Sequence, residues 1–278
     1  MASTKIITDS ASDLPEEIAQ QLKVTVVPLT IRFGTEEFVD RVDLDPAAFW
    51  AKCASSATLP ETAAPSPGAF SQAFADAAAE GADGVVCITL SSRLSATYQS
   101  ALAAAETATI PVRVVDSEAV TMAQGLLTIA AAEAAAAGQG TEEIAAMVEA
   151  ARARTGVEGT LETLEHLKKG GRIGSAQALF GSVLSIKPIL ALKDGLVAED
   201  GRQRTRAKAL DHVAKVAAEH GPFERLAVVH GAADDCDKLL AKIEGFESDT
   251  AVITGDIGSV VGTHGGPGII GICWISRG

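Results

Sequence analysis

Aromatic side chains are scarce in this chain of 278 residues: they make up 4%, with a single tyrosine and two tryptophans. Its core must therefore be aliphatic and alanine-rich, since hydrophobic content still reaches 47%. Positive charge is also short. Lys and Arg number 23 against 36 Asp and Glu, a net charge of −13. Phosphate neutralisation needs clustered Lys and Arg, so no nucleic acid is expected as a partner. No basic amphipathic helix is present to lie on a membrane. The four cysteines (Cys53, Cys87, Cys236, Cys273) form no CxxC pair and no metal-ligand spacing. Cys87 and Cys273 fall inside apolar runs and read as small core residues. No apolar run approaches transmembrane length; residues 130–137 come nearest and are broken by Glu133. Between Met1 and Leu14, Asp and Ser residues interrupt the place where a signal peptide carries its apolar stretch. A cytoplasmic protein without stable membrane insertion is expected.

Several catalytic signatures are missing too. There is no G-x-x-x-x-G-K-[ST] loop for nucleotide phosphates and no G-x-S-x-G elbow for a hydrolase. Residues 266–271 match G-x-G-x-x-G formally. They open an apolar stretch rather than a helix, so a dinucleotide site is excluded.

What is present is alternation of strand-like and helix-like segments. Residues 6–8, 84–90 and 112–115 read as strands, and 24–33 as β-rich with Pro28 interrupting. Ser12 or Asp13 can cap a helix through Pro15 and Glu16, and Asp45–Pro46 opens another. Residues 58–67, with three prolines, read as a loop, and 70–79, 119–137 and 141–154 as helices. Such βα repetition favours a parallel sheet. After about Gly156 the pattern changes. Segments 187–192, 196–199 and 203–205 read as short strands joined by turns at Asp194–Gly195 and Asp200–Gly201. Strands at 226–230, 251–254 and 268–274 and helices at 207–219 and 234–243 follow. The expected architecture is α/β in two domains. Residues 1–157 carry a parallel sheet and residues 158–278 a mixed one.

The most informative stretch is SSRLSATYQSA, residues 91–101, directly after an apolar strand. A strand ending in hydroxyls and opening a helix gathers hydroxyls and free N–H groups at a sheet crest, where α/β folds bind ligands. It suits a carboxylate or phosphate head group, or the serines simply cap the helix. His264 stands among Gly262, Gly265, Gly266 and Gly268, where backbone can approach a ligand closely. Asp9 and Asp116 end strands and either act as acid and base, ligate a metal or cap the next helix. Lys168, Lys169 and Arg172 form one compact basic cluster, a partner or phosphate contact or a solvated helix end.

Taken in order, ITDSASDLP (7–15), SSRLSATYQSA (91–101), VVDS (114–117), LKKGGRIG (167–174), SIKPIL (185–190), RTRAKAL (204–210) and THGGPGIIG (263–271) closely resemble the DegV family over essentially the whole chain. The resemblance implies a two-domain protein that holds a long-chain fatty acid such as palmitate between its domains. It implies no cofactor and no chemistry of its own. A separate fatty acid kinase phosphorylates the bound acid to an acyl phosphate for phospholipid synthesis. Carried onto this sequence, Thr62 of Thr62-Ala63-Ala64-Pro65 contacts the carboxylate, and Ser95 of Leu94-Ser95-Ala96-Thr97 is the second contact. Ala63 and Ala64 stand where the family has polar groups, and Ala96 where it has a glycine that lets backbone approach. His264 matches the histidine near the head group, and Arg204 or Arg206 an arginine in a supporting polar network. Arg172 resembles the position that docks the kinase. Two enzyme readings stand beside it: a serine esterase using Ser95, His264 and Asp116, and a kinase-like or sugar-phosphate enzyme of related architecture.

Overall fold

A computed structural model describes residues 3–179 and 186–278. The first half alternates as expected: β1 (Thr4–Asp9), α1 (Glu16–Gln21), β2 (Thr25–Val27), β3 (Thr30–Phe33), β4 (Glu36–Val39), α2 (Pro46–Ser55), β5 (Glu61–Ala63) and α3 (Pro67–Ala79). Then come β6 (Gly84–Thr89), α4 (Thr97–Ala105), β7 (Val112–Asp116), α5 (Met122–Ala136) and α6 (Thr141–Ala151). The second half holds β8 (Thr155–Thr160), α7 (Glu165–Lys169), β9 (Lys187–Lys193), β10 (Leu196–Gln203), α8 (Arg206–Ala218) and β11 (Phe223–Gly231). It ends with α9 (Cys236–Ile243), β12 (Ile253–Asp256), α10 (Ser259–Gly265) and β13 (Ile269–Ser276). Ser185, first residue of the SIKPIL stretch, lies outside the described residues. Among the described residues, no helix is long and apolar enough to cross a membrane.

Two sheets match the expected α/β architecture. The first, β2-β1-β6-β7, is wholly parallel. The second is mixed, in the order β10-β9-β8-β13-β11-β12, with only β11 and β12 parallel. The expected division between residues 157 and 158 falls within β8. A third sheet, β4-β3-β5, is antiparallel and was not expected. Its strand β5 lies inside the stretch read as a loop: prolines at 60 and 65 leave four residues between them, too few to show alternation.

Local signals acted mostly as their chemistry requires. Asp45 Oδ1 accepts from Ala48 N–H at 2.7 Å and caps α2. Asp194 and Gly195 both have positive φ, 51° and 74°, as a tight hairpin between β9 and β10 needs. Asp200–Gly201 does not turn. β10 runs straight through it with a bulge between Glu199 and Gly201, so the Asp-Gly pair takes up one extra residue instead of reversing the chain. Nor do Ser12 and Asp13 cap α1, whose N-cap is Pro15. Asp13 is left-handed at φ 49°, and its carboxylate accepts from Gly258 N–H at 2.9 Å, tying the first sheet's crest to the entry of α10.

α5 binds the two large sheets into one body. Residues Met122 to Ala132 are all buried, as an all-round apolar helix must be. It touches β1 and β6 on one side and β8, β11 and β13 on the other. One continuous core joins Ile6, Val86 and Ile88 to Met122, Leu126 and Leu127, and these to Ala227, Val229, Cys273 and Ile275. Some of its polar groups are matched: Gln124 Nε2 donates to Thr8 Oγ1 at 3.0 Å, and Thr128 Oγ1 to Gln124 O at 3.0 Å, while Gln124 Oε1 has no partner among the described residues.

Candidate functional site

In the order β2-β1-β6-β7 the chain leaves β1 towards opposite edges, so the switch point lies at the carboxyl ends of β1 and β6. Asp9 stitches that point together. Its carboxylate accepts from Ala11 N–H at 3.0 Å and from Leu90 N–H at 2.8 Å. Asp116, at the end of β7, serves in the same way, accepting from Ser92 N–H at 3.2 Å and Glu118 N–H at 2.9 Å. Both act as caps.

Between this crest and the second sheet opens a cavity of about 930 Å³, its mouth included. Leu29, Leu90 and Leu94 line it from the first half, and Leu190, Val197 and Ile257 from the second. Its polar lining is Thr62, Ser95, Thr121, Arg172 and His264. Three of these, Thr62, Arg172 and His264, converge. Thr62 Oγ1 lies 3.0 Å from His264 Nε2, and the Arg172 guanidinium acts on the same imidazole. Arg172 Nε donates to Leu94 O at 3.0 Å, beside Ser95, and Nη1 to Gly170 O at 2.6 Å. A second, polar space adjoins here, sharing Thr62, Arg172 and His264 and adding His166 and Lys169.

Each side chain is placed by its element. β5 pairs Thr62 opposite Ile31 of β3. His264 sits in the last turn of α10, not in a loop, because Gly262 lets Phe49 and Trp50 press against the helix where a Cβ would collide. Gly170 likewise leaves room for the imidazole. Burial, then the charges of Arg172 and His166, push His264 down to about 4. It is neutral at pH 7, with Nδ1 lacking a partner among the described residues, so it offers a hydrogen bond and Arg172 the charge.

The helix after residue 91 starts later than expected, at Thr97. The N–H groups of Leu94 and Ser95 are already bonded to Ser91 O at 3.0 and 3.2 Å, so no array of free N–H groups forms there. Ser95 reaches the cavity, with its Oγ 2.9 Å from Thr97 Oγ1. Ala96 is exposed at φ −76°, ψ 5°, an ordinary conformation, and does not line the cavity. Arg204 is exposed and lies off the cavity. Arg206 grips Asp235 through two bonds of 2.9 Å and reaches Glu162 at 3.3 Å, also off the cavity. Thr121 lines the cavity unannounced by sequence. It holds φ 51°, strained for a β-branched residue, while its N–H donates to Ala11 O at 2.8 Å.

The buried titratable groups set a pH dependence. Burial raises Asp9 and Asp13 from 3.8 to about 7 and moves Asp40 upward too. Above pH 3.8 the folded state then holds protons that the unfolded chain has released, so stability falls as pH rises towards 7. His264 works oppositely: its contribution is full above pH 6.5 and is lost as pH falls towards 4. The acids outnumber it. The melting temperature is expected to fall between pH 5 and pH 8 by calorimetry, and a rise over that interval contradicts the buried-acid account.

The cavity is thus apolar over most of its lining, with hydroxyl, imidazole and guanidinium groups gathered on one part of it. Residues 3–277 match the model of the DegV family, described as an uncharacterised protein family, and the chain belongs to that family. A DegV domain-containing protein of Streptomyces coelicolor is 36% identical over 279 residues, covering 98% of each chain. The fatty-acid-binding DegV family protein of Thermus thermophilus superposes with a TM-score of 0.92 at 33% identity, covering 99% of this chain and 100% of its own. A stearic acid-binding protein of Eubacterium ventriosum gives 0.89 at 27% identity, covering 99% and 98%.

Proposed function

We propose that this protein binds one long-chain fatty acid of palmitate or stearate size, its tail in the cavity and its carboxylate at Thr62 and Ser95. The observation that carries this reading is the linked group of Thr62, His264 and Arg172, with Ser95 also on the lining, at a cavity otherwise lined almost wholly by apolar side chains. The named ligands of the Thermus and Eubacterium proteins agree with it. About fifteen buried methylenes at ~0.8 kcal/mol each contribute on the order of 12 kcal/mol gross. A hydrogen bond to the carboxylate adds about 1.5–3 kcal/mol. The tail therefore supplies most of the affinity and the polar group its orientation. Arg206, through Glu162 and Asp235, supports the neighbouring backbone.

The head group is presented from the polar space beside Lys169 and Arg172 to a separate kinase in the bacterial cytoplasm, which makes the acyl phosphate. The chain itself does no chemistry. An esterase relay finds no support: Ser95 Oγ pairs with Thr97, His264 with Thr62, and Asp116 with backbone N–H groups.

Native mass spectrometry of the purified chain, followed by lipid extraction, is expected to show one fatty acid per chain. An empty chain that takes up none when fatty acid is added defeats the reading. With a bacterial fatty acid kinase and ATP added, Arg172→Ala should slow acyl phosphate formation; an unchanged rate removes Arg172 from the docking surface.

A further inference from the structure

On the face of the six-stranded sheet turned away from the cavity, three metal-ligating side chains meet. Glu158 comes from β8, Asp200 from β10 and His212 from α8, with one ligand atom of each within 4.8 Å of the others. Val157 and Gly159 line the cavity, so alternation turns Glu158 between them towards α8. The three are far apart in sequence, and no spacing motif announces them.

Two of the atoms lack partners among the described residues. Glu158 is 1% exposed, and its Oε1 accepts no hydrogen bond. His212 Nε2 is also without one and lies 3.7 Å from Asp200 Oδ2. The fold is arranged around this point. The bulge between Glu199 and Gly201 inserts Asp200 into β10, the device by which strands re-aim a side chain. At Gly201 a Cβ would stand 3.0 Å from the imidazole Cε1. Gln203 Nε2 lies 3.4 Å from His212 Nδ1. Turning that amide over presents its oxygen to an Nδ1–H, which fixes the tautomer whose Nε2 lone pair is free for a metal.

We propose that Glu158, Asp200 and His212 form a binding site for a divalent transition-metal ion, zinc in the simplest case, with water completing its shell. One imidazole and two carboxylates suit such ions. Ligands about 2.0–2.2 Å from one ion stand roughly 3–3.5 Å apart, so the three side chains close inward by about an ångström. The Asp200 and His212 side chains are 23% and 26% exposed, which gives the ion a way in. Lys193 Nζ holds Asp200 Oδ1 at 2.9 Å but is itself 60% exposed, so a cation displaces it into water. The competing occupant is a proton on Glu158, whose carboxyl burial and then Asp200 push up to about 9. The bound ion would pin α8 and β10 to β8 behind the cavity and carry no reaction.

The test is isothermal titration calorimetry of the full chain, stripped with EDTA, with zinc chloride. One zinc per chain at micromolar affinity or tighter is expected. His212→Ala and Glu158→Gln should each weaken it at least ~10-fold. His230→Ala, which removes the separate His230–Asp256 pair, should leave it unchanged. Circular dichroism checks that each variant folds; His212 is partly exposed, so its variant keeps the test open if Glu158→Gln does not fold. A wild-type chain that binds no zinc, or zinc binding unchanged in His212→Ala, overturns the proposal.

Discussion

Val261→Trp is expected to fold and to lose its fatty acid. Val261, His264 and Gly265 share one face of α10, and that face lines the cavity. Val261 is only partly buried and borders free space, so an indole there enters the void instead of overpacking a filled core. Every tail methylene it displaces forfeits about 0.8 kcal/mol. Displacing four costs about 3 kcal/mol, roughly a hundredfold in affinity. Native mass spectrometry should find the variant empty where the wild type is loaded, with an unchanged circular dichroism spectrum. Wild-type occupancy would put the tail somewhere other than this cavity.

Leu126→Asp is expected to unfold both halves of the molecule together. Leu126 is fully buried in α5, in the core that the two large sheets share. Losing the leucine alone costs about 2–5 kcal/mol, and an unpaired carboxyl buried in its place adds several more. That sum rivals the roughly 5–15 kcal/mol by which a whole protein is stable. Hydrogen exchange should show β1 and β6 losing protection along with β11 and β13. If the first sheet keeps its protection while the second loses it, the halves are independent domains and α5 belongs to one of them.

Much of this architecture was legible because it rests on local chemistry. The parallel strands announced themselves as short apolar runs, Asp45 as a cap, and Asp194–Gly195 as a hairpin. Thr62 and His264, picked out by family resemblance from positions far apart, turn out to share a hydrogen bond. What escaped notice depends on contacts distant in sequence. β5 is a strand because β3 lies beside it, not because four residues between prolines favour extension. α10 is rich in glycine, a poor helix former, and forms because Phe49 and Trp50 need the space Gly262 leaves. Asp200–Gly201 carries the signal of a turn, but β9 keeps pairing past it and the signal resolves into a bulge. Likewise Glu158, Asp200 and His212 have nothing in common until β8, β10 and α8 pack.

The place of β13 has a consequence for how the chain is made. This strand is made after every other strand among the described residues, yet it lies between β8 and β11 at the centre of its sheet, and Cys273 and Ile275 on it close the core around α5. Until it clears the exit tunnel, β8 and β11 have no common neighbour, and the apolar side of α5 that faces them stays wet. The nascent protein thus carries that apolar surface from the time α5 is made until β13 is. A chain stopped before residue 269 is left in that state.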